Sequence, residues 1–201
     1  MNRKLIFATG NEDKMQEIRE IMEDLGIEVL SMREAGAYLD VEENGESFEE
    51  NALIKARAIC EKTGELTLAD DSGLEVDHLD KEPGIYSARY LGRDTSYREK
   101  NADLIRRLSG VPDEKRTARF VCAVAAVFPD GREEIVRGTM EGRIGYEEAG
   151  AHGFGYDPIF FLPEYGCTSA ELLPEEKNRI SHRGKALRLM KEKLLSLGVL
   201  G

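Results

Sequence analysis

Residues Leu66–Leu79 read LTLADDSGLEVDHL, an apolar run that delivers two adjacent carboxylates, Asp70 and Asp71, to a Ser72-Gly73 pair. Acids side by side at the end of a strand repel each other and lose hydration unless something offsets their charge. The usual offset is a cation, and hard carboxylate oxygens suit Mg²⁺. Asp-Asp-Ser-Gly is also ordinary turn chemistry. On either reading Ser72 and Gly73 turn the chain before Leu74–Val76 resumes the apolar pattern. Thr9-Gly10-Asn11 with Lys14 is a second group, placed between an apolar run and a helical one. N–H groups at a helix start hold phosphate oxygens, and Lys14 would add a cation. Asn11 would serve equally as a plain cap.

Three further stretches carry polar chemistry. Glu42, Glu43, Glu46, Glu49 and Glu50 crowd around Gly45. One or two of them, facing Asp70 and Asp71, would complete a metal site, the others being solvated or capping. Gly153-Phe154-Gly155-Tyr156-Asp157-Pro158 sets an aromatic between glycines. There Phe154 can stack on a flat ring, with Asp157 accepting hydrogen bonds from that ring or orienting a base contact; a core Phe in a tight loop is the alternative. Lys177 and Ser181-His182-Arg183-Gly184-Lys185 gather donors ahead of the last helix. Cations there oppose the helix dipole, which makes more sense if an anion or a carbonyl-rich ligand sits among them.

The elements that position these groups follow from periodicity. Lys4–Ala8 reads as a strand, and Met15, Ile18, Ile21, Met22 and Leu25 recur at helical spacing up to Gly26. Glu28–Leu30 is a short strand. Ser47 and Glu50 form a capping box for a helix burying Phe48, Ala52, Ile54 or Ala56, and Ile59. Pro83–Tyr90, PGIYSARY, opens on a turn and offers Arg89 to a phosphate or an acidic neighbour. Ser96 and Glu99 box a helix carrying Tyr97, Leu104, Ile105 and Leu108. Arg119–Phe128 and Glu133–Ile144, around Pro129-Asp130-Gly131, predict a long antiparallel hairpin, with Gly138 and Gly142 permitting a bulge or a close approach. Ile159–Leu162 is a short strand, and the last helix carries Leu187, Met190, Leu194 and Leu197 up to Gly198.

With 201 residues, 41% hydrophobic and 33% charged, the chain can bury one sizeable core or two small lobes. A net charge of −11 disfavours binding to a nucleic-acid backbone. It leaves triphosphates possible where basic groups and a metal are concentrated. Cys60, Cys122 and Cys167 have no metal-ligand spacing, and their odd count fits a reducing compartment. The first residues lack the apolar run of a signal peptide. The longest apolar run, Phe120–Phe128, is nine residues, too short to span a bilayer as a helix. The expectation is a cytoplasmic protein that engages no membrane.

Phosphates call for N–H donors and lysine, a metal for carboxylates, and a base for stacking and donors, so these groups together match a nucleoside triphosphate. The chain resembles the inosine triphosphate pyrophosphatase family, hydrolases of deaminated purine nucleotides. The resemblance lies in FATGNEDKMQEI, SFEENALIKA, LADDSGLEVDHL, PGIYSARY, GFGYDPIF and SHRGKAL, in order from residue 7 to 187, with no departure at the positions that matter. It implies an α/β fold, with a long central mixed sheet, flanking helices and two lobes with a cleft between, all in one domain. It implies a homodimer and Mg²⁺-dependent hydrolysis of ITP, dITP and XTP to monophosphate and pyrophosphate. By motif, Thr9, Gly10, Asn11, Glu12, Asp13 and Lys14 would hold phosphates, with Ser72 adding a hydroxyl. Asp71 would be acid–base residue and metal ligand, Glu42 the other metal-side carboxylate and Asp70 their support. Phe154, Gly155, Tyr156 and Asp157 would shape the nucleoside pocket, and Lys177, His182 and Arg183 would reach the base. Donors there would pair with the purine 6-oxygen, and adenine's amino group would leave each buried donor unpaired at a cost of about 1–3 kcal/mol. Two alternatives stand beside this: a Maf-like pyrophosphatase of other bases, against which SHRGKAL and GFGYDP speak, and a nucleotide-binding regulator without turnover.

Overall fold

The computed structural model describes residues 4–199, apart from the side chain of Asp13. In chain order the elements are β1 (Lys4–Phe7), α1 (Glu12–Met22), β2 (Glu28–Ser31), α2 (Phe48–Thr63), β3 (Leu66–Val76), α3 (Tyr97–Arg107), β4 (Thr117–Val127), β5 (Glu133–Ile144), β6 (Phe160–Leu162), β7 (Cys167–Thr168), α4 (Pro174–Ile180) and α5 (His182–Ser196). The strands form one mixed sheet in the order β2-β1-β3-β4-β5-β6-β7. β1 runs parallel to both β2 and β3, while β6 is antiparallel to β5 and β7. The expected α/β class with helices flanking a mixed sheet is what the chain adopts.

By its contacts the chain forms two compact units. One takes the chain up to Asp71, Cys122–Gly138 and the chain from Arg183; the other takes Ser72–Val121 and Thr139–His182. In the first, strand alternation sends side chains to both faces. Leu5, Phe7, Leu68, Cys122 and Val124 pack with Met15, Ile18 and Met22 of α1 and with Leu187, Met190 and Leu194 of α5. Ile6, Ala69, Ala125 and Val127 form the other set, with Ala52, Ala56 and Ile59 of α2. Of the two residues weighed for α2, Ala56 is fully buried and Ile54 only half-buried. In the second unit Leu74, Val76, Phe120, Met140, Ile144 and Phe160 form a core with Leu104 of α3 and with Leu108, the residue that caps its C-terminus. Gly142 permits a close approach there: a Cβ would stand 2.6 Å from the Phe161 carbonyl oxygen.

Three local expectations need correction. Ser72 and Gly73 do not turn the chain, because β3 continues through them from Leu66 to Val76. The apolar alternation resumes at Leu74 and Val76, both fully buried, so pairing in the sheet overrides the turn-like composition. The basic stretch does not precede α5 but opens it at His182, with Ser181 as the single extended residue after α4. The Ser47 box is half formed. Its hydroxyl accepts from Glu50 N at 3.1 Å, but the Glu50 carboxylate accepts from Glu46 N. The Ser96–Glu99 box is complete.

Candidate active site

β3 carries the two adjacent acids on opposite faces, because neighbouring strand residues alternate. Asp70 shares its face with Leu68 and is 1% exposed. Both its oxygens accept from Lys14 Nζ, at 3.1 and 3.0 Å, and Oδ2 also accepts from Arg183 Nε at 3.3 Å. Burial alone would push this carboxyl up; the charges of Lys14, Arg183 and Lys55 outweigh it and hold the group far below the usual range. Arg183, in the first turn of α5, also meets Glu17 of α1 at 3.6 Å. The anions that justify a cation at this helix start are thus the protein's own. Arg183, expected at the base, stands with Asp70.

Asp71 faces α2. Its Oδ2 accepts from Asn51 Nδ2 at 3.1 Å. Burial raises its pKa to about 6; Lys55 and the Asn51 bond pull downward, while the Glu43 and Asp70 charges push up. Lys55 pairs with Glu43 at 2.6 Å. Its own burial would lower its pKa, but the Asp70, Glu43 and Asp71 charges raise it. Asn51 and Lys55 lie four apart, on one side of α2, and neither is among the site residues that the sequence motifs assign. A polar pair at that spacing within a buried apolar stripe was the available signal. Glu42 is exposed, and the acid whose charge reaches Asp71 is its neighbour Glu43.

The turn after β1 is pinned by its own side chains. Asn11 N donates to Thr9 Oγ1 at 3.1 Å, and Asn11 Oδ1 accepts from Lys14 N at 3.2 Å, so Asn11 caps α1. A Cβ on Gly10 would meet nothing within 4 Å, so this glycine leaves space above the turn. A cavity of about 230 Å³ opens there, lined among others by Thr9, Gly10, Tyr38, Glu43 and Lys55. Glu12 is exposed, and the Asp13 side chain lies outside the described residues. Ser72 follows the acids in β3, half-buried. No group of three His, Cys, Asp or Glu able to hold a metal unaided occurs among the described residues. The carboxylates of Asp71 and Glu43 are nevertheless hard oxygen donors, and they fit Mg²⁺, which keeps waters and phosphate oxygens in its shell.

In the second unit Phe154 is 64% exposed, not a core residue. Asp157 organises the loop beneath it. Its Oδ2 accepts from Phe154 N at 2.9 Å and from Lys177 Nζ, and its Oδ1 from Ser169 Oγ at 2.8 Å. Its carboxylate is thereby committed to the protein. Lys177 Nζ also lies 5.4 Å from the Phe154 ring centre. Gly153 has φ +73°, and a Cβ there would fall 2.3 Å from Asp157 Oδ2. Tyr156 is buried, its hydroxyl donating to Ser87 O at 2.6 Å. The His182 ring stacks on Phe120, centres 5.0 Å apart. Arg89 lies over the Tyr86 ring at 4.8 Å.

Comparison with known proteins gives concordant matches. A family model described as the Ham1 family matches residues 5–193. The chain is 50% identical over 185 residues to a dITP/XTP pyrophosphatase of Desulforamulus reducens, covering 92% of each. The structure of a HAM1 protein from Coxiella burnetii superposes with TM-score 0.91 at 39% identity, covering 96% of this chain and 99% of that one. A nucleoside-triphosphatase, dITP/XTP pyrophosphatase, from Mycobacterium abscessus matches with TM-score 0.80 at 46% identity, covering 93% and 98%.

Proposed function

Because the chain belongs to the Ham1 family, we propose that it hydrolyses dITP, ITP and XTP to the monophosphate and pyrophosphate with Mg²⁺. We further propose that it does so as a cytoplasmic homodimer that clears deaminated purines from the nucleotide pool. It is a nucleoside triphosphate pyrophosphatase, the activity for which its curated relatives are named. No helix among the described residues is long and apolar enough to cross a membrane.

The observation that carries the reading is Asp71, a half-buried carboxylate held between Asn51 and Lys55 with its pKa raised to about 6. A group poised there is ionised at neutral pH and basic enough to take a proton from water. Asn51 sets the orientation of its carboxylate, and Lys55 favours its charged form. Asp71 with an acid of the Glu42–Glu43 pair would hold Mg²⁺, which when bound neutralises charge on the phosphates. Lys14, fixed by Asp70 at the Thr9–Asn11 turn, adds positive potential where phosphate oxygens meet the start of α1. Water then attacks the α-phosphorus and pyrophosphate leaves, with no covalent nucleophile. In the second unit Phe154 has an exposed face that would take the purine, and Lys177, steered by Asp157, would offer a donor to its 6-oxygen.

The test is to supply Mg²⁺ with dITP, ITP, XTP, GTP or ATP and resolve the products. Deaminated purine nucleotides should give monophosphate and pyrophosphate, at a rate that falls as acid protonates the Asp71 carboxylate. Asp71→Asn should lower kcat by roughly 10²–10⁴-fold. Diphosphate plus phosphate would move the attack to another phosphorus, and binding without turnover would leave a regulator.

A further inference from the structure

The buried residues of α3 are Lys100, Asn101 and Leu104, and two of them are polar where a helix needs only apolar side chains. Lys100 and Asn101 are each 1% exposed. Asn is a weaker helix former than Leu or Ala, and burying its amide forfeits hydration. Its Oδ1 is enclosed and has no hydrogen-bond partner among the described residues. Nothing in the helix itself is gained by this residue, so the gain lies in what its Nδ2 holds. That nitrogen donates to the Gly155 carbonyl at 3.2 Å and to Glu148 Oε1 at 2.8 Å.

Neighbouring contacts converge on the same loop. The Tyr97 ring lies against Gly155, where a Cβ would stand 3.5 Å from it, and meets Tyr156 edge-on with ring centres 5.3 Å apart. Lys100 Nζ donates to Ala88 O at 2.8 Å. The adjacent Ser87 carbonyl accepts from Tyr156, while Ser87 Oγ donates to Gly84 O and accepts from Leu74 N. Phe154 is therefore exposed but flanked by fixed backbone: Asp157 holds its N–H, and Asn101 holds the carbonyl of the next residue. A stacking surface that is ordered before the ligand arrives loses less freedom on binding.

We infer that Asn101 is a positioning residue for the purine: its amide fixes the Gly155 carbonyl and so sets where the Phe154 ring stands. This rests on the reading of Phe154 as the platform for the base. It adds a residue of α3 that touches no substrate.

Two measurements test it. The chain has no tryptophan, so Phe154→Trp supplies a lone indole on the loop. Adding Asn101→Ser, which removes the donor without adding charge or bulk, should increase the fast local depolarisation of that indole. Unchanged anisotropy overturns the inference. In steady-state kinetics with ITP and XTP, Asn101→Ser and Asn101→Asp should each raise KM about tenfold with kcat within about threefold. In a Phe154→Ala background the same substitutions should change KM little. An unchanged KM, or the same factor without Phe154, sinks the inference. A parent protein that hydrolyses no nucleoside triphosphate sinks the functional reading instead, and the indole still decides on Asn101.

Discussion

At neutral pH Asp71 is ionised in surroundings that disfavour its charge. Burial, with the Glu43 and Asp70 carboxylates, raises its pKa to about 6, against about 3.9 for an unfolded Asp. Between those values the folded chain binds the proton more tightly than the unfolded one. That contribution to stability is therefore present at the acid end of the window and is lost as pH rises through about 6. Asp71→Asn removes the loss. The metal-free variant is expected to be more stable than the parent at neutral pH by about 1–3 kcal/mol. Near pH 4 the advantage should vanish, because there the parent Asp71 is itself largely neutral. Thermal melts across that range, in chelator, read the difference; a variant less stable than the parent at neutral pH would refute the assignment. Asp70 behaves in the opposite way, being tied on its own face of β3 to Lys14 and Arg183.

At the scale of elements, periodicity was a sound guide wherever a segment's own pattern set its structure. The long strands, the apolar sides of α1 and α2, and the Ser96 box all read correctly from residues alone. It failed where partners distant in the chain decide. Asp-Asp-Ser-Gly has the composition of a turn, and only the sheet keeps it extended. Asn51 and Lys55 stand out in α2 only as a polar pair, and the partner that gives the pair its role, Asp71, comes from β3, while Arg183 finds Asp70 and Glu17 far from it in the chain. Likewise the burial of Lys100 and Asn101 has no local signature in α3. The loop of Gly153 was legible as unusual, and the reason is now physical. A side chain there needs a disfavoured left-handed backbone and would strike the Asp157 carboxylate. Gly153→Ala is expected to cost about 1–3 kcal/mol of stability and to raise KM for purine nucleotides by displacing Phe154 and Lys177. Melting curves and kinetics check it, and an alanine that leaves both unchanged would refute the steric account.

For the molecule as a whole, a net charge of −11 means that a polyanion approaches against the long-range field. Three cations of the candidate site, Lys14, Lys55 and Arg183, already face carboxylates of the protein. Lys14 and Arg183 pair with Asp70, Arg183 also meets Glu17, and Lys55 pairs with Glu43, while Asp71 accepts from Asn51. A free nucleoside triphosphate would thus arrive at three cations that already have carboxylate partners. The consequence concerns the order of events. Nucleotide stripped of divalent cation should be a poor ligand and a poor competitor, and productive encounter should require the ion to arrive first or together with the nucleotide. Calorimetric titration with ITP in chelator should show binding weaker by about tenfold or more than titration of a non-hydrolysable analogue in Mg²⁺. Equal affinity in both would mean that the paired lysines leave their carboxylates and turn to the phosphates. The ion pairs would then act as springs that the nucleotide opens, rather than as a gate that keeps it out until it carries its metal.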